Sequence, residues 1–183
     1  SGQCGGTMCA GAMSLSEAVN HASVKIYERA LEEPNLKGMG TTATVLRVVD
    51  NHGYIAHVGD SRMYLMRCGL IYQLTQDHSL VHEHVRAGLL TKEEADSHHL
   101  RNVITRSVGF QEEEVVDTTS LALEHGDFLV ICSDGLHGKI GDIEIAQSIL
   151  KEKLNSVNAL ITLANSRGGE DNISLIIIHI QVR

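Results

Sequence analysis

The stretch TTATVLRVVDNHGYIAHVGDSRMYLMRCGLIYQL, residues 41–74, decides the fold class. It contains four short runs of β-branched and apolar residues, separated by Gly, Asn, Asp and Ser, which are typical of turns. No segment long enough for a crossover helix lies between these runs, so neighbouring strands are expected to pair antiparallel. The pattern therefore predicts a four-stranded antiparallel meander. Its strands are expected at residues 41–49, 54–59, 62–67 and 70–74.

Helical patterns lie on both sides of these strands. Apolar residues recur at helical spacing from Leu15 to Ala30, and Ser14 with Glu17 forms a capping box that predicts the helix start. Residues 1–13 contain four Gly and show no periodicity, which predicts a flexible segment. Further helices are predicted over 78–88, 91–97, 142–153 and 156–166, and further strands over 115–123, 128–132 and 173–182. These elements predict an α+β fold in one domain over residues 1–183.

The charge balance and the apolar pattern exclude two classes of protein. The chain has 15 Lys and Arg against 23 Asp and Glu, a net charge of −8, and no basic cluster that indicates a nucleic-acid surface. No apolar run approaches the roughly 18 residues that a membrane span needs. The four cysteines show no paired CxxC spacing, and no signal-peptide pattern is present. We therefore expect a cytoplasmic protein that binds neither nucleic acid nor membrane.

Three aspartates occupy similar places at the ends of apolar strands. Asp60 and Asp134 each follow a predicted strand, and Asp171 comes just before the final one. If these strands pack side by side, the carboxylates converge and supply the oxygen ligands that Mg²⁺ and Mn²⁺ prefer. Aspartate beside Gly, Ser or Asn is also common in turns, where it bonds to its own backbone. The spacing alone leaves both interpretations open.

Six segments of the chain follow one another in a distinctive order: GMGTTATVL (38–46), IAHVGDSRMYL (55–65), LTQDHSL (74–80), RNVITRSVG (101–109), LVICSDGL (129–136) and EDNISLIII (170–178). Taken together, they resemble the metal-dependent protein phosphatases of the 2C type, and the bacterial members above all. No single segment is specific, but their succession across residues 38–178 is. The resemblance implies an antiparallel β-sandwich flanked by helices, a four-layer αββα arrangement, with the metals at one end between the sheets.

The resemblance also assigns roles to individual residues. It implies that Asp134 and Asp171 are ligands of a central pair of Mg²⁺ or Mn²⁺ ions, and that Asp60 belongs to a third, more loosely held ion. Arg62 and Asn172 match positions that brace loops. The implied reaction is hydrolysis of phosphoserine or phosphothreonine in a phosphorylated protein substrate by metal-bound water, without a phospho-enzyme. No catalytic side chain is assigned.

Residues 78–109 are similar to the flap segment of those phosphatases. Asp77 lies directly before this segment, and Asx side chains cap helices. We therefore expect Asp77 to start the helix over residues 78–88.

The chain departs from the family's pattern before Gly38. Members of the family begin with strands that carry an acidic ligand, a phosphate-binding Arg and an Asp-Gly motif whose Asp bridges the two central metals. We expect that several dozen such residues are missing, which leaves a sheet edge for a homodimer or a partner chain to cover. Two functions therefore stay open: a protein serine/threonine phosphatase, and a catalytically inactive pseudophosphatase that acts as a regulatory or protein-binding module.

Overall fold

The computed structural model describes residues 6–96 and 98–181. Its helices are α1 (Gly6–Glu32), α2 (Leu80–Arg86), α3 (Lys92–Asp96), α4 (Asp134–His137), α5 (Asp142–Glu152) and α6 (Ser156–Ser166). Its strands are β1 (Ala43–Val49), β2 (His52–Val58), β3 (Arg62–Arg67), β4 (Leu70–Gln73), β5 (Asp117–Ala122), β6 (Phe128–Cys132) and β7 (Leu175–His179). Short 3-10 helices lie at Pro34–Leu36 and Lys153–Asn155.

The chain forms two compact units. The first runs to Gly59 and resumes from His78 to Ala122, and the second comprises Asp60–Asp77 and the chain from Leu123 onward. The predicted α+β class, with antiparallel sheets and helices, is confirmed. The interpretation of residues 1–183 as a single domain stays a prediction. In the parts of the chain that the structure describes, every helix is too short or too polar to cross a membrane.

The first unit is a three-stranded antiparallel sheet in the order β1-β2-β5, with α1 packed against it. Strands β1 and β2 form a hairpin whose turn contains Asp50 in the left-handed region, with φ of 51°. Asp tolerates that conformation better than most residues because its short side chain can bond to the local backbone. Val19 of α1 is buried against Ala56 and Val58 of β2, and these contacts form the core of the unit.

The second unit is a four-stranded antiparallel sheet in the order β4-β3-β6-β7. Strands β3 and β4 are joined by Cys68 and Gly69, which both have positive φ, as the tight turns of hairpins require. Helices α5 and α6 contribute the buried residues Ile145, Ile149 and Leu160 to a core that they share with the inner side chains of the sheet. Apolar side chains of β3 and β6 alternate between the two faces of the sheet, so each strand is buried on both sides.

The predicted meander is wrong at one point. Strand β2 pairs with β1 and β5, whereas β3 pairs with β4 and β6, so the two hairpins belong to different sheets. Gly59 follows β2 with φ of 112°, and a Cβ atom there would collide with the side chain of Thr42, so this position requires glycine. Both β2 and β3 are buried almost throughout, and a buried strand needs partners on both edges. Each finds its second partner far along the chain.

The start of the first helix also differs from the prediction. Helix α1 begins at Gly6, so Ser14 and Glu17 lie inside it and do not cap it. The segment 6–13 is rich in Ala and Met, which are strong helix formers, and it extends the helix in spite of its glycines. Residues 1–5 of the predicted flexible segment lie outside the described residues. Helix α4, with four residues, is too short to show a periodicity and was not predicted.

Candidate metal centre

The three aspartates lie at one edge of the sheet of the second unit. Arg62 of β3 and Cys132 of β6 are the last pair of their antiparallel ladder, so Asp60 and Asp134, each two residues beyond that pair, leave the sheet at the same end. Strand β7 is antiparallel to β6, so Asp171, which precedes β7, reaches the same edge. The structure therefore brings the loops of all three residues to one end of adjacent strands.

Asp60 and Asp134 interact electrostatically. Asp60 is only 8% exposed. Burial in the first place, and then the charge of Asp134, raise the pKa of Asp60 to about 6, while Arg62 partly opposes this shift. Two carboxylates held near each other at a buried edge repel, and a divalent cation between them would remove that repulsion.

The loops that carry Asp134 and Asp171 are bonded to each other. The hydroxyl of Ser133 donates to the carbonyl oxygen of Asn172 at 3.2 Å and accepts from the amide of Ser174 at 3.0 Å. A Cβ atom at Gly135 would collide with the Asn172 carbonyl oxygen, so this close approach requires glycine. The packing fixes the spacing of the two loops.

Both aspartates also have the turn role that the sequence left open. Oδ1 of Asp134 accepts a hydrogen bond from the amide of Gly135 at 2.9 Å, and Oδ1 of Asp171 accepts one from the amide of Asn172 at 2.7 Å. Asp171 is exposed. Within residues 6–96 and 98–181, no three His, Cys, Asp or Glu side chains lie close enough together to hold a metal ion. The assignment of Asp60, Asp134 and Asp171 as metal ligands stays a prediction.

A buried ion pair lies at the start of β3, next to this edge of the sheet. Arg62 donates from Nε to Oδ1 of Asp77 at 2.9 Å and from Nη2 to Oδ2 at 2.7 Å. The amide of Gln73 also donates to Asp77, at 3.0 Å. The expectation that Asp77 caps a helix is therefore wrong: Ser79 is the N-cap of α2, and its side chain accepts from the amide of His82. Asp77 is bound to Arg62 because a buried carboxylate needs a charged partner.

One residue at this edge was missed by the sequence reasoning. Nε2 of His137 lies 2.9 Å from the main-chain oxygen of Asp60. A carbonyl oxygen can only accept, so Nε2 carries the proton. Burial is the main cause that lowers the pKa of His137, which keeps its ring neutral at neutral pH. One feature of the sequence points to His137: it follows Asp134 by three residues, an interval that places two side chains on the same face of a helix.

Comparison with known proteins identifies the family. The model of protein phosphatase 2C matches residues 9–86. Protein phosphatase PhpP of Streptococcus pneumoniae is 41% identical over 156 residues, which are 84% of this chain and 63% of that protein. The structure of the S. agalactiae serine/threonine phosphatase superposes with a TM-score of 0.86 and 42% identity, over 91% of this chain and 69% of that one. The chain belongs to the protein phosphatase 2C family.

The predicted family and its fold are therefore confirmed. A further similar structure is that of the catalytic domain of the serine/threonine protein phosphatase PstP, which is a complex with two manganese ions. It is 34% identical to this chain, with a TM-score of 0.83, over 96% of this chain and 72% of that domain. Phosphatases of this family are metal-dependent. The present chain spans about 63% of the length of the S. pneumoniae relative.

Proposed function

We propose that this chain is a metal-dependent protein phosphatase that hydrolyses the phosphate ester of phosphoserine and phosphothreonine in protein substrates. Its relatives are named serine/threonine phosphatases. The observation that carries the proposal is the meeting of the loops of Asp60, Asp134 and Asp171 at one edge of the second sheet. That placement is the one expected of carboxylates that bind hard cations between rigid strands.

The donor chemistry at this edge fits Mg²⁺ or Mn²⁺. All three candidate ligands are carboxylates. The negative charges of Asp60 and Asp134 repel each other, and a divalent cation would neutralise them. We propose that Asp134 and Asp171 serve a central pair of ions and Asp60 a third. Such ions, when bound, supply a water of lowered pKa and an electrostatic clamp for the phosphate.

The chain's own residues hold the carboxylates in place. Arg62 with Asp77 fixes the start of β3, and Ser133 joins the loop of Asp134 to the loop of Asp171. These contacts order the ligands before any cation arrives, so less ordering is needed on binding.

We propose in addition that the protein works in the cytoplasm and that a second copy or a partner chain covers a sheet edge. Cys68 and Cys132 are free thiols, as is usual in a reducing compartment. Strand β7 is an outer strand of its sheet, and its Ile176 is 56% exposed. Exposed apolar edge strands are commonly covered in native proteins.

The decisive experiment measures Mn²⁺-dependent release of phosphate from a phosphothreonine peptide. Asp134→Asn keeps an oxygen for the amide of Gly135 but removes the charge, so turnover and Mn²⁺ affinity are expected to fall by at least roughly 100-fold. Asp50→Asn is the matched control, because Asp50 lies in an exposed turn and Asn tolerates its positive φ. Turnover that Asp134→Asn leaves unchanged would refute the ligand assignment. A folded wild-type protein that binds Mn²⁺ and the peptide without turnover would refute the activity.

A further inference from the structure

We propose that His137 is a positioning residue that sets the distance between the Asp60 and Asp134 carboxylates through its hydrogen bond to the Asp60 main chain. The inference rests on the proposed function, because it concerns the same edge of the sheet. It adds a residue that belongs to none of the six segments in which the resemblance to the family was seen.

Helix α4 joins His137 rigidly to Asp134. The helix begins at Asp134 and ends at His137, and its single turn is closed by a bond from the amide of Gly138 to the carbonyl of Asp134 at 2.8 Å. Between them, Leu136 is fully buried in the core of the second unit. A movement of His137 therefore moves Asp134 as well.

The other end of the connection is the loop that carries Asp60. The paired residues of β3 and β6 end at Arg62 and Cys132, so the sheet ladder does not extend to Asp60 and Asp134. The bond from Nε2 of His137 to the Asp60 carbonyl spans this gap at 2.9 Å. It replaces a ladder hydrogen bond at the position where the two strands separate.

This bond also fixes the position of the Asp60 loop. The ladder of β3 and β6 ends at Arg62 and Cys132, so the bond from His137 is a further attachment of the Asp60 loop to the helix that begins at Asp134. The donor on α4 holds the Asp60 loop near Asp134. The pair is then ready for a cation instead of having to assemble around one.

The test compares two substitutions of His137 that differ in one property. Gln places an amide nitrogen near the position of Nε2 and keeps a donor, whereas Leu fills a similar volume without a donor. Mn²⁺ affinity is measured by isothermal titration calorimetry, and thermal unfolding is measured in EDTA. We expect His137→Leu to weaken Mn²⁺ binding about tenfold and His137→Gln to recover most of that loss. The two variants should unfold at similar temperatures.

A substitution of His21, an exposed residue of α1, by Leu controls for loss of a histidine that could bind Mn²⁺ weakly. Equal losses of affinity in the Leu and Gln variants would overturn the inference, because they would show that only packing matters. Unchanged affinity in His137→Leu would overturn it as well. If His137→Leu does not fold, ¹⁵N NMR of the wild type decides: a His137 ring without a protonated, slowly exchanging Nε2 overturns the inference.

The same titrations separate this inference from the proposed function. A wild-type protein that does not bind Mn²⁺ refutes the proposed function, and the positioning role falls with it. A wild-type protein that binds Mn²⁺ as tightly as His137→Leu refutes the positioning role alone.

Discussion

Replacement of Asp60 by Asn is expected to stabilise the metal-free protein at neutral pH. Burial and the charge of Asp134 raise the pKa of Asp60 from an ordinary value of 3.8 to about 6. The folded state therefore binds a proton more tightly than the unfolded state does. As the pH rises from about 4 to about 6, Asp60 ionises at a growing cost to the folded state, and above that range the cost is complete. Asn does not ionise, so the folded variant does not bear this cost.

The size of the effect follows from the shift. A pKa difference of about 2 corresponds to about 3 kcal/mol in the free energy of unfolding. Asp134 is only partly buried, so water screens the pair, and we reduce the expected gain to about 1–2 kcal/mol at pH 7.5. The gain should shrink as the pH is lowered from about 6 and nearly vanish below about 4, where Asp60 is protonated in the folded and unfolded states alike.

Urea denaturation in EDTA, followed by circular dichroism at several pH values, measures this difference. Asp50→Asn is the control, since it removes a carboxylate from an exposed turn and should change the free energy of unfolding little at any pH. Added Mn²⁺ should reverse the order, because a ligand that binds only the folded state stabilises the better binder more. A destabilised Asp60→Asn variant at pH 7.5, or a gain that is the same at pH 7.5 and pH 4, would show the electrostatic reasoning to be wrong.

Two further substitutions test the packing around the edge. Gly135→Ala should lower the free energy of unfolding by about 1–3 kcal/mol and weaken Mn²⁺ binding, because the new Cβ would collide with the Asn172 carbonyl oxygen. An unchanged melting temperature would contradict the expected loss of stability. Arg62→Met should cost about 3–5 kcal/mol, because it leaves Asp77 buried without its charged partner. The double variant Arg62→Met/Asp77→Leu should recover much of that loss in urea denaturation. Additive losses in the cycle would count against a direct interaction.

The sequence predicted the local parts of the fold because their signals are local. The hairpin between β1 and β2 is marked by turn residues. The helix predicted over residues 91–97 begins with a reciprocal cap, in which the carboxylate of Glu94 accepts from the Thr91 amide at 2.8 Å and the Thr91 hydroxyl accepts from the Glu94 amide. The pairing of β2 with β5 joins residues as far apart as His52 and Ala122, and no local pattern marks it. The prediction that β2 pairs with β3 was wrong for this reason: strand order depends on which distant strand completes the ladder.

The residues of the candidate site also fall into those that the sequence predicts and those that it does not. The aspartates at the strand ends could be found from motifs, since each lies next to a strand with a strong apolar pattern. The partners of these residues could not be found so easily, because they come from other parts of the chain. The bond between His137 and Asp60 spans 77 residues, and Arg62 reaches Asp77 across the β3–β4 hairpin. Side-chain positions of that kind follow from tertiary packing and not from spacing.

The sequence left two roles open for Asp134 and Asp171: a turn residue or a metal ligand. The structure shows how the two roles are related. Each uses Oδ1 to accept the amide of the next residue, as a turn aspartate does. A carboxylate has about four lone-pair positions, so this bond leaves acceptor capacity on the same group. The turn bond restricts rotation of the side chain and thereby reduces the entropy that a cation would have to remove. The turn bond is therefore compatible with the proposed role as a metal ligand at both positions.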